Sequence, residues 1–396
     1  MLRLLTAGES HGPDLVAIVE GLPAGIRVEA PTLDRDLARR QTGYGRGARS
    51  TRIERDLVEV TSGVRGGRTT GAPVTLRIPN RDFANQPSNP ARLTAPRPGH
   101  ADLAGRMKYG IDDFRTVRER ASARETAARV AAGALAKELL GSFGARVGSF
   151  VLQIADVGAN LGGGLGHLDE GALARLFSAA EADPVRCPDP SASERMRAAI
   201  DGARSGGETV GGVFCVFATG VPAGLGSYVQ WDRKLDGLLA RGVCSIPAVK
   251  GVEVGPAFEV AAMPGTRAQD SIEWRDGRLA RGTNMAGGLE GGVTNGRPVV
   301  LRAAMKPLSS VRARVPTVDF LTGHAADAPY VRSDVCAVPA AGVVAEAMVA
   351  WVLAEALVDR FGSDRLDAML AAWHAVSSSD LPGDVPPVAA RGETGQ

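Results

Sequence analysis

RPGHADLAGRMKYGIDDFRTVRERASARE (Arg97–Glu125) runs directly into TAARVAAGALAKELLG (Thr126–Gly141), and the reading of this junction sets the architecture. The second segment carries Val130, Leu135 and Leu139 at helical spacing and stops at Gly141, so it predicts a long helix. Its start, Ser122-Ala123-Arg124-Glu125, has the pattern of a capping box, in which the serine oxygen takes a free amide and the glutamate reaches back. The free amides and dipole of a helix start attract anions, and Arg120 and Arg124 flank this one. A phosphate or carboxylate ligand is the functional expectation; the plain alternative is a well-capped surface helix.

Toward the N-terminus, residues 2–6 and 13–21 read as short antiparallel strands around Gly8-Glu9-Ser10-His11-Gly12, where glycines allow the backbone close to a ligand. PTLDRDLARRQ reads as a helix entered at Pro31-Thr32, and it opens into the Gly-rich TGYGRGAR. Between Arg39 and Arg52 there are five arginines and no acid. A solvated face usually mixes signs, so this set favours an anion site. IERDLVEVTSGV and APVTLRIPN predict an antiparallel strand pair, and Asn80–Pro98 is a Pro- and Asn-rich loop leading back to the opening stretch.

Toward the C-terminus, residues 145–157 predict a strand, and GANLGGGLGHLDEG a loop without the Gly-Lys-Ser/Thr ending of a nucleotide loop. A helix containing ASERMRAAIDGA, the loop GGETVGG and the strand VFCVFATGV follow. A similar order recurs through 231–264, which raises an internal duplication of an α+β unit. Gly-rich NMAGGLEGGVTNG leads into the strand PVVLRAAM and then Lys306-Pro307-Leu308-Ser309-Ser310, a set of donors suited to a phosphate or a polar cofactor ring. Arg332-Ser333-Asp334 precedes an apolar helix from about Pro339 to Phe361, where a charged pair is either a cap or a site. The expected organisation is one large domain over 1–375 with a flexible tail over 376–396.

Composition excludes several classes. With 396 residues, 44% of them hydrophobic, there is ample material for a core, and the net charge of +2 provides no global field for nucleic acid or membrane. Four separated cysteines without a C-x-x-C pair suggest packed, reduced thiols in a cytoplasmic protein. No signal peptide is read at the N-terminus, and no run is expected to approach membrane-spanning length. None of the five histidines shows metal-ligand spacing; His11 and His100 alone lie in Gly-rich segments beside charges, where an imidazole can serve as acid or base. Ser10 beside His11 lacks the nucleophile elbow of acyl transfer. An RNA-binding protein using Arg in Gly loops is the competing class, but aromatics for stacking make up only 5% of the chain. The dinucleotide fingerprint of a plain oxidoreductase is missing.

The sequence resembles the chorismate synthase family through GESHGPDLVAIVEGLPAG (8–25), RERASARETAARVAAGAL (118–135) and RSDVCAVPAAGVVAEAM (332–348), with RRQTGYGRGAR, PRPGHADLAG, SIPAVKGVEVG and MKPLSS between them in the family's order. The resemblance spans roughly residues 1–360 and implies an α+β fold with a helical layer sandwiched between antiparallel sheets, in a homotetramer. It implies a 1,4-anti elimination of phosphate from 5-enolpyruvylshikimate 3-phosphate to give chorismate, in the shikimate pathway. The family requires reduced FMN, which lends electron density to the substrate and recovers it, with NADPH an external electron source. By position, His11, with Ser10 beside it, matches the donor of a proton to the leaving phosphate. His100 matches the histidine near flavin N1, and Asp334 the acid that works with flavin N5 on the C6 proton. Arg40, Arg46, Arg49, Arg124 and Arg332 match substrate-side arginines, the first two being assigned in some relatives to a nicotinamide phosphate. Arg120, Ala121, Ser122, Pro247, Ala248, Gly291, Lys306, Pro307, Leu308, Ser309, Ser310 and Arg332 match flavin contacts. Phe83 departs from the family, standing where relatives often have Trp.

Overall fold

The computed structural model describes residues 1–47, 55–87, 90–275, 278–330 and 334–379. In the first sheet, β1 (Arg3–Ala7) pairs antiparallel with β2 (Asp14–Glu20), as the alternation around the GESHG turn predicts. Helix α1 (Ala30–Gln41) follows, with Pro31 in its first turn, where a missing N–H costs nothing. Then come β3 (Glu59–Ser62) and β4 (Val74–Pro79), giving the strand order β1-β2-β4-β3. The strand expected over 53–64 is thus shorter: residues 55–58 are irregular, and 53–54 lie outside the described residues. Leu15, Ala17 and Val19 of β2 and Val74, Leu76 and Ile78 of β4 are buried while their neighbours are more open, the period of two that a one-sided sheet requires.

The Asn80–Pro98 loop leads to two short helices, α2 (Asp102–Tyr109) and α3 (Phe114–Arg120), and then to α4 (Thr126–Ser142). The capping box forms only in half. Ser122 Oγ accepts the Arg124 N–H at 3.3 Å over a short 3-10 turn, but the Glu125 carboxylate accepts instead from Thr6 Oγ1 at 2.8 Å and Arg129 Nε at 2.9 Å. A guanidinium one turn along and a hydroxyl on β1 outcompete a backbone amide, because charge-assisted bonds are the stronger ones.

The second sheet is built from β5 (Arg146–Ile154), β6 (Val157–Gly158), β7 (Gly212–Thr219), β8 (Val249–Val254) and β9 (Val299–Met305), ordered β8-β9-β7-β5-β6 with antiparallel neighbours throughout. Its connections carry α5 (Glu170–Glu181), α6 (Pro190–Gly206) and α7 (Leu235–Cys244). Strands β7 and β8 flank β9 from opposite sides, and each is preceded in the chain by a helix, α6 and α7.

Helix α8 (Val338–Phe361) closes the core. It packs on α4, α1 and α7 and lies on β5 and β7, while α4 also covers β2 and β4, so a helical layer sits between the two sheets. Contact between α4 and α8 is close enough to require a glycine: a Cβ on Gly133 would stand 2.3 Å from the Ala347 Cβ. At 24 residues α8 is long and apolar enough to span a membrane, which corrects the expectation that no run approaches that length. In its most apolar window 83% is buried inside the fold, the behaviour of a helix covered on all sides by protein. Helix α9 (Leu366–Ser379) runs through the expected tail start at 376, and residues 380–396 lie outside the described residues.

Candidate active site

A cavity of about 520 Å³ opens where the β1–β2 turn, the end of α1, the α3–α4 junction, the segment after β9 and the start of α8 converge. This is within the range of roughly 300–1,000 Å³ usual for small-molecule sites. Among the described residues, Arg40, Arg46, Arg97, Arg118, Arg124 and Lys306 face it against Asp82 and Asp334, so this part of the wall carries an excess of positive charge. Ile246, Met305, Ala340, Ala341 and Val344 form an apolar portion of the same wall.

At the end of α1, Arg40 is 7% exposed. Its Nη2 donates to Asp56 Oδ2 at 2.8 Å and its Nη1 to Thr126 Oγ1 at 3.3 Å, while its buried Nε has no hydrogen-bond partner among the described residues. Arg124 donates from Nη1 to the other oxygen of Asp56 at 2.6 Å and from Nε to Asn80 Oδ1 at 2.9 Å. Burial pushes the Asp56 carboxyl up, but Arg40 and Arg124 outweigh it and hold the group below its ordinary value. Burial, together with the Arg124 and Arg46 charges, moves Arg40 the other way, below the usual arginine range, and an added anion would relieve that cost.

Ser10 Oγ lies 2.9 Å from His11 Nδ1, and Glu119 Oε1 is 3.7 Å from the same nitrogen. The Ser10 N–H also donates to the Glu119 carbonyl at 3.1 Å, which fastens the GESHG turn to the last turn of α3. Burial raises the Glu119 carboxyl above its ordinary value. Across the cavity, His100 Nδ1 is 2.5 Å from Asp102 Oδ1, and Asp102 Oδ2 accepts from Arg97 N at 3.0 Å and Nε at 3.2 Å. Burial would raise Asp102, but the bonds from His100 and Arg97 hold it at about 2. Arg97 Nη1 reaches Ser310 Oγ at 2.9 Å and Lys306 Nζ donates to the Gly99 carbonyl at 3.0 Å, so the histidine loop and the segment after β9 form one wall. Asp334 pairs with Arg46 through Oδ2, and its Oδ1 accepts the Gly47 N–H at 2.6 Å.

Of the residues singled out by sequence, Ser10, His11, Arg40, Arg46, His100, Ala121, Ser122, Arg124, Pro247, Ala248, Lys306, Leu308, Ser309, Ser310 and Asp334 line this cavity. Ala248 does so with φ 69°, a conformation that non-glycine residues rarely adopt and that clusters at functional sites. Pro307 is not on the wall. Arg120 is not among the lining residues; its Nη1 and Nη2 donate to the carbonyls of Gly8 (3.0 Å) and Thr6 (2.9 Å), which fastens β1 to the end of α3. Gly291 sits in the turn between Leu289–Glu290 and Val293–Thr294, off the cavity wall. Arg49 and Arg332 lie outside the described residues. Asp56, Asn80, Arg97 and Glu119 carry no functional signal in the sequence, since each pairs with a residue distant in sequence or held in an irregular loop. Asp102 has a local signal, two residues after His100 at a helix start.

The sequence profile of a family described as chorismate synthase matches residues 2–358. The chorismate synthase of Rubrobacter xylanophilus is 53% identical over 387 residues, covering 95% of this chain and 97% of that protein. That of Moorella thermoacetica is 54% identical over 376 residues, covering 92% and 96%. A solved structure titled "Crystal Structure of Chorismate Synthase" superposes with a TM-score of 0.78 at 39% identity, covering 96% of this chain and 98% of its own.

Proposed function

The chain belongs to the chorismate synthase family, and from that premise we propose that this cavity carries out the 1,4-anti elimination of phosphate from 5-enolpyruvylshikimate 3-phosphate, giving chorismate. The protein is thus a carbon–oxygen lyase of the shikimate pathway, a reading that takes the place of the RNA-binding alternative. The observation that supports the site assignment most directly is the wall itself: among the described residues Arg40, Arg46, Arg97, Arg118, Arg124 and Lys306 line it against Asp82 and Asp334, a balance that suits an anion. The substrate brings a phosphate and two carboxylates, which suit Arg40, Arg46 and Arg124, with Arg49 and Arg332 assigned to the same task.

The remaining steps fall to side chains around that anion subsite. His11 has its Nδ1 engaged by Ser10, so proton delivery to the departing phosphate is assigned to Nε2. Asp334 has both oxygens hydrogen-bonded, which fixes its carboxylate on the wall as the acceptor for the C6 proton. The donor set also fits a flavin. Ser122, Lys306, Ser309 and Ser310 supply polar side chains beside the apolar wall, and Gly99, with φ +74° and a would-be Cβ 3.4 Å from Lys306 Nζ, keeps that wall free of bulk. Bound reduced FMN supplies transient electron density that assists loss of the allylic phosphate, with no net redox change. His100, oriented by Asp102, stands where it can balance negative charge on such a ring. We assign NADPH the part of an external electron source, and the protein to the cytoplasm as a homotetramer.

Incubated anaerobically with chemically reduced FMN, the protein should release phosphate from 5-enolpyruvylshikimate 3-phosphate; no release at any flavin concentration sinks the assignment. His11→Ala and Asp334→Ala should each lower turnover by about 100-fold or more, the scale of a lost general acid or base. Near-normal rates in both, with the fold intact, would remove their assigned roles.

A further inference from the structure

Asp56 belongs to neither the cavity wall nor the motifs of the sequence, yet its side chain is fully buried and holds two of the wall's arginines. One oxygen accepts from Arg40 Nη2 at 2.8 Å, the other from Arg124 Nη1 at 2.6 Å. The carboxylate is itself held in place from α1: Gln41 Oε1 accepts the Asp56 N–H at 3.0 Å, and Asp34 Oδ1 accepts the Val58 N–H at 2.8 Å. Two bonds about two turns apart on one helix fix the 56–58 backbone against that helix. Beyond Arg124 the chain of contacts continues. Asn80 accepts from Arg124 Nε and donates through Nδ2 to the carbonyls of Gly12 at 2.7 Å and Glu9 at 3.2 Å, on either side of His11.

We propose that Asp56 is the positioning residue of the substrate's anion subsite: by occupying one Nη of each guanidinium from behind, it sets Arg40 and Arg124 side by side and in register with the His11 turn. This rests on the reading that these arginines bind the anionic substrate. The geometry separates two roles that a buried Asp could have. If Asp56 served only to neutralise charge, removing it would leave a more positive subsite that grips anions harder. If it positions, an amide in its place fails, because an Asn offers one acceptor oxygen and turns an NH2 donor toward the second guanidinium. One arginine is then released from its register, and a subsite built for a polyanion loses one arm.

The test compares wild type with Asp56→Asn in two assays. In the flavin-free protein, orthophosphate binding measured by calorimetry should weaken by about 10-fold, the scale of a lost charge-assisted contact. In the loaded enzyme, KM for 5-enolpyruvylshikimate 3-phosphate should rise by about 30-fold while kcat stays within about 3-fold. FMN affinity should stay within about 2-fold, since Asp56 touches none of the residues assigned to the flavin. Orthophosphate binding that is unchanged or tighter in the variant overturns the proposal, and so does a parallel loss of FMN affinity, which marks a general collapse. Should Asp56→Asn not fold, Asp56→Glu makes the same comparison, keeping the charge but shifting the carboxylate by one methylene. A wild-type protein that binds orthophosphate yet releases none from the substrate would overturn the proposed reaction and leave the Asp56 comparison readable.

Discussion

Arg39 and Arg40 are consecutive residues at the end of α1, yet their guanidinium groups meet opposite surroundings. Arg39 donates five hydrogen bonds to carboxylates: two to Glu181 (2.7 and 2.8 Å), two to Glu346 (2.7 and 2.8 Å) and one to Asp36 (2.9 Å). That uses every N–H an arginine has. The cluster around it is charge-balanced, with Arg39, Lys137 and Arg186 set against Asp36, Glu181 and Glu346. Burial pushes Glu346 up, but Lys137, Arg39 and Arg186 outweigh it and hold the carboxyl far below its ordinary value. Around Arg40 the pairing is different: Asp56 accepts from both Arg40 and Arg124, and among the described residues Nε of Arg40 has no partner. A buried network in which every N–H is paired with a carboxylate holds helices together, whereas arginines on a cavity wall are placed to meet a ligand.

The largest effect should come from breaking the balanced side. Glu346→Ala leaves three cations without their shared partner inside the helical layer and should destabilise the fold by about 3–5 kcal/mol, read from urea unfolding. A loss below about 1 kcal/mol would show that the network contributes little and that the contrast is geometric only. Next, Arg40→Met should raise KM for the substrate by about 100-fold, whereas Arg39→Met should move it less than about 2-fold and lower stability instead. Equal KM effects for the two would dissolve the distinction between them.

The smallest effect concerns His100 and Asp102, a pair that is balanced locally by Arg97 but faces the cavity. With its folded value at about 2 against an ordinary 3.8, Asp102 contributes stability that is fully present above about pH 4 and is lost as the pH falls through 2. Asp102→Asn should therefore cost about 1 kcal/mol at neutral pH, after allowance for solvent screening, and the difference from wild type should close on acidification toward pH 2. A gap that stays constant from pH 7 to pH 2 would show that Asp102 is not ionised by its partners.

The sequence by itself determined the parts whose signals are local. Period-two alternation marked β1, β2 and β4; helical spacing in an alanine-rich run marked α4; and glycines beside charged groups marked the turns that carry His11 and His100. Motif order was enough for the family resemblance and for most of the cavity wall. Tertiary structure decided which charges are spent and which are available. Nothing in ARRQ separates Arg39 from Arg40, because their partners come from Glu181 and Glu346 on one side and from Asp56 and Thr126 on the other. Asp56 reads as one more acid in a strand-like stretch, Glu346 as a polar interruption of an apolar helix, and the bonds from Arg120 to β1 are invisible in the motif that holds it. Hydrophobic periodicity is written along the chain because each element must bury one face. Electrostatic satisfaction is a property of pairs brought together by the fold, and it becomes readable only when those pairs are in place.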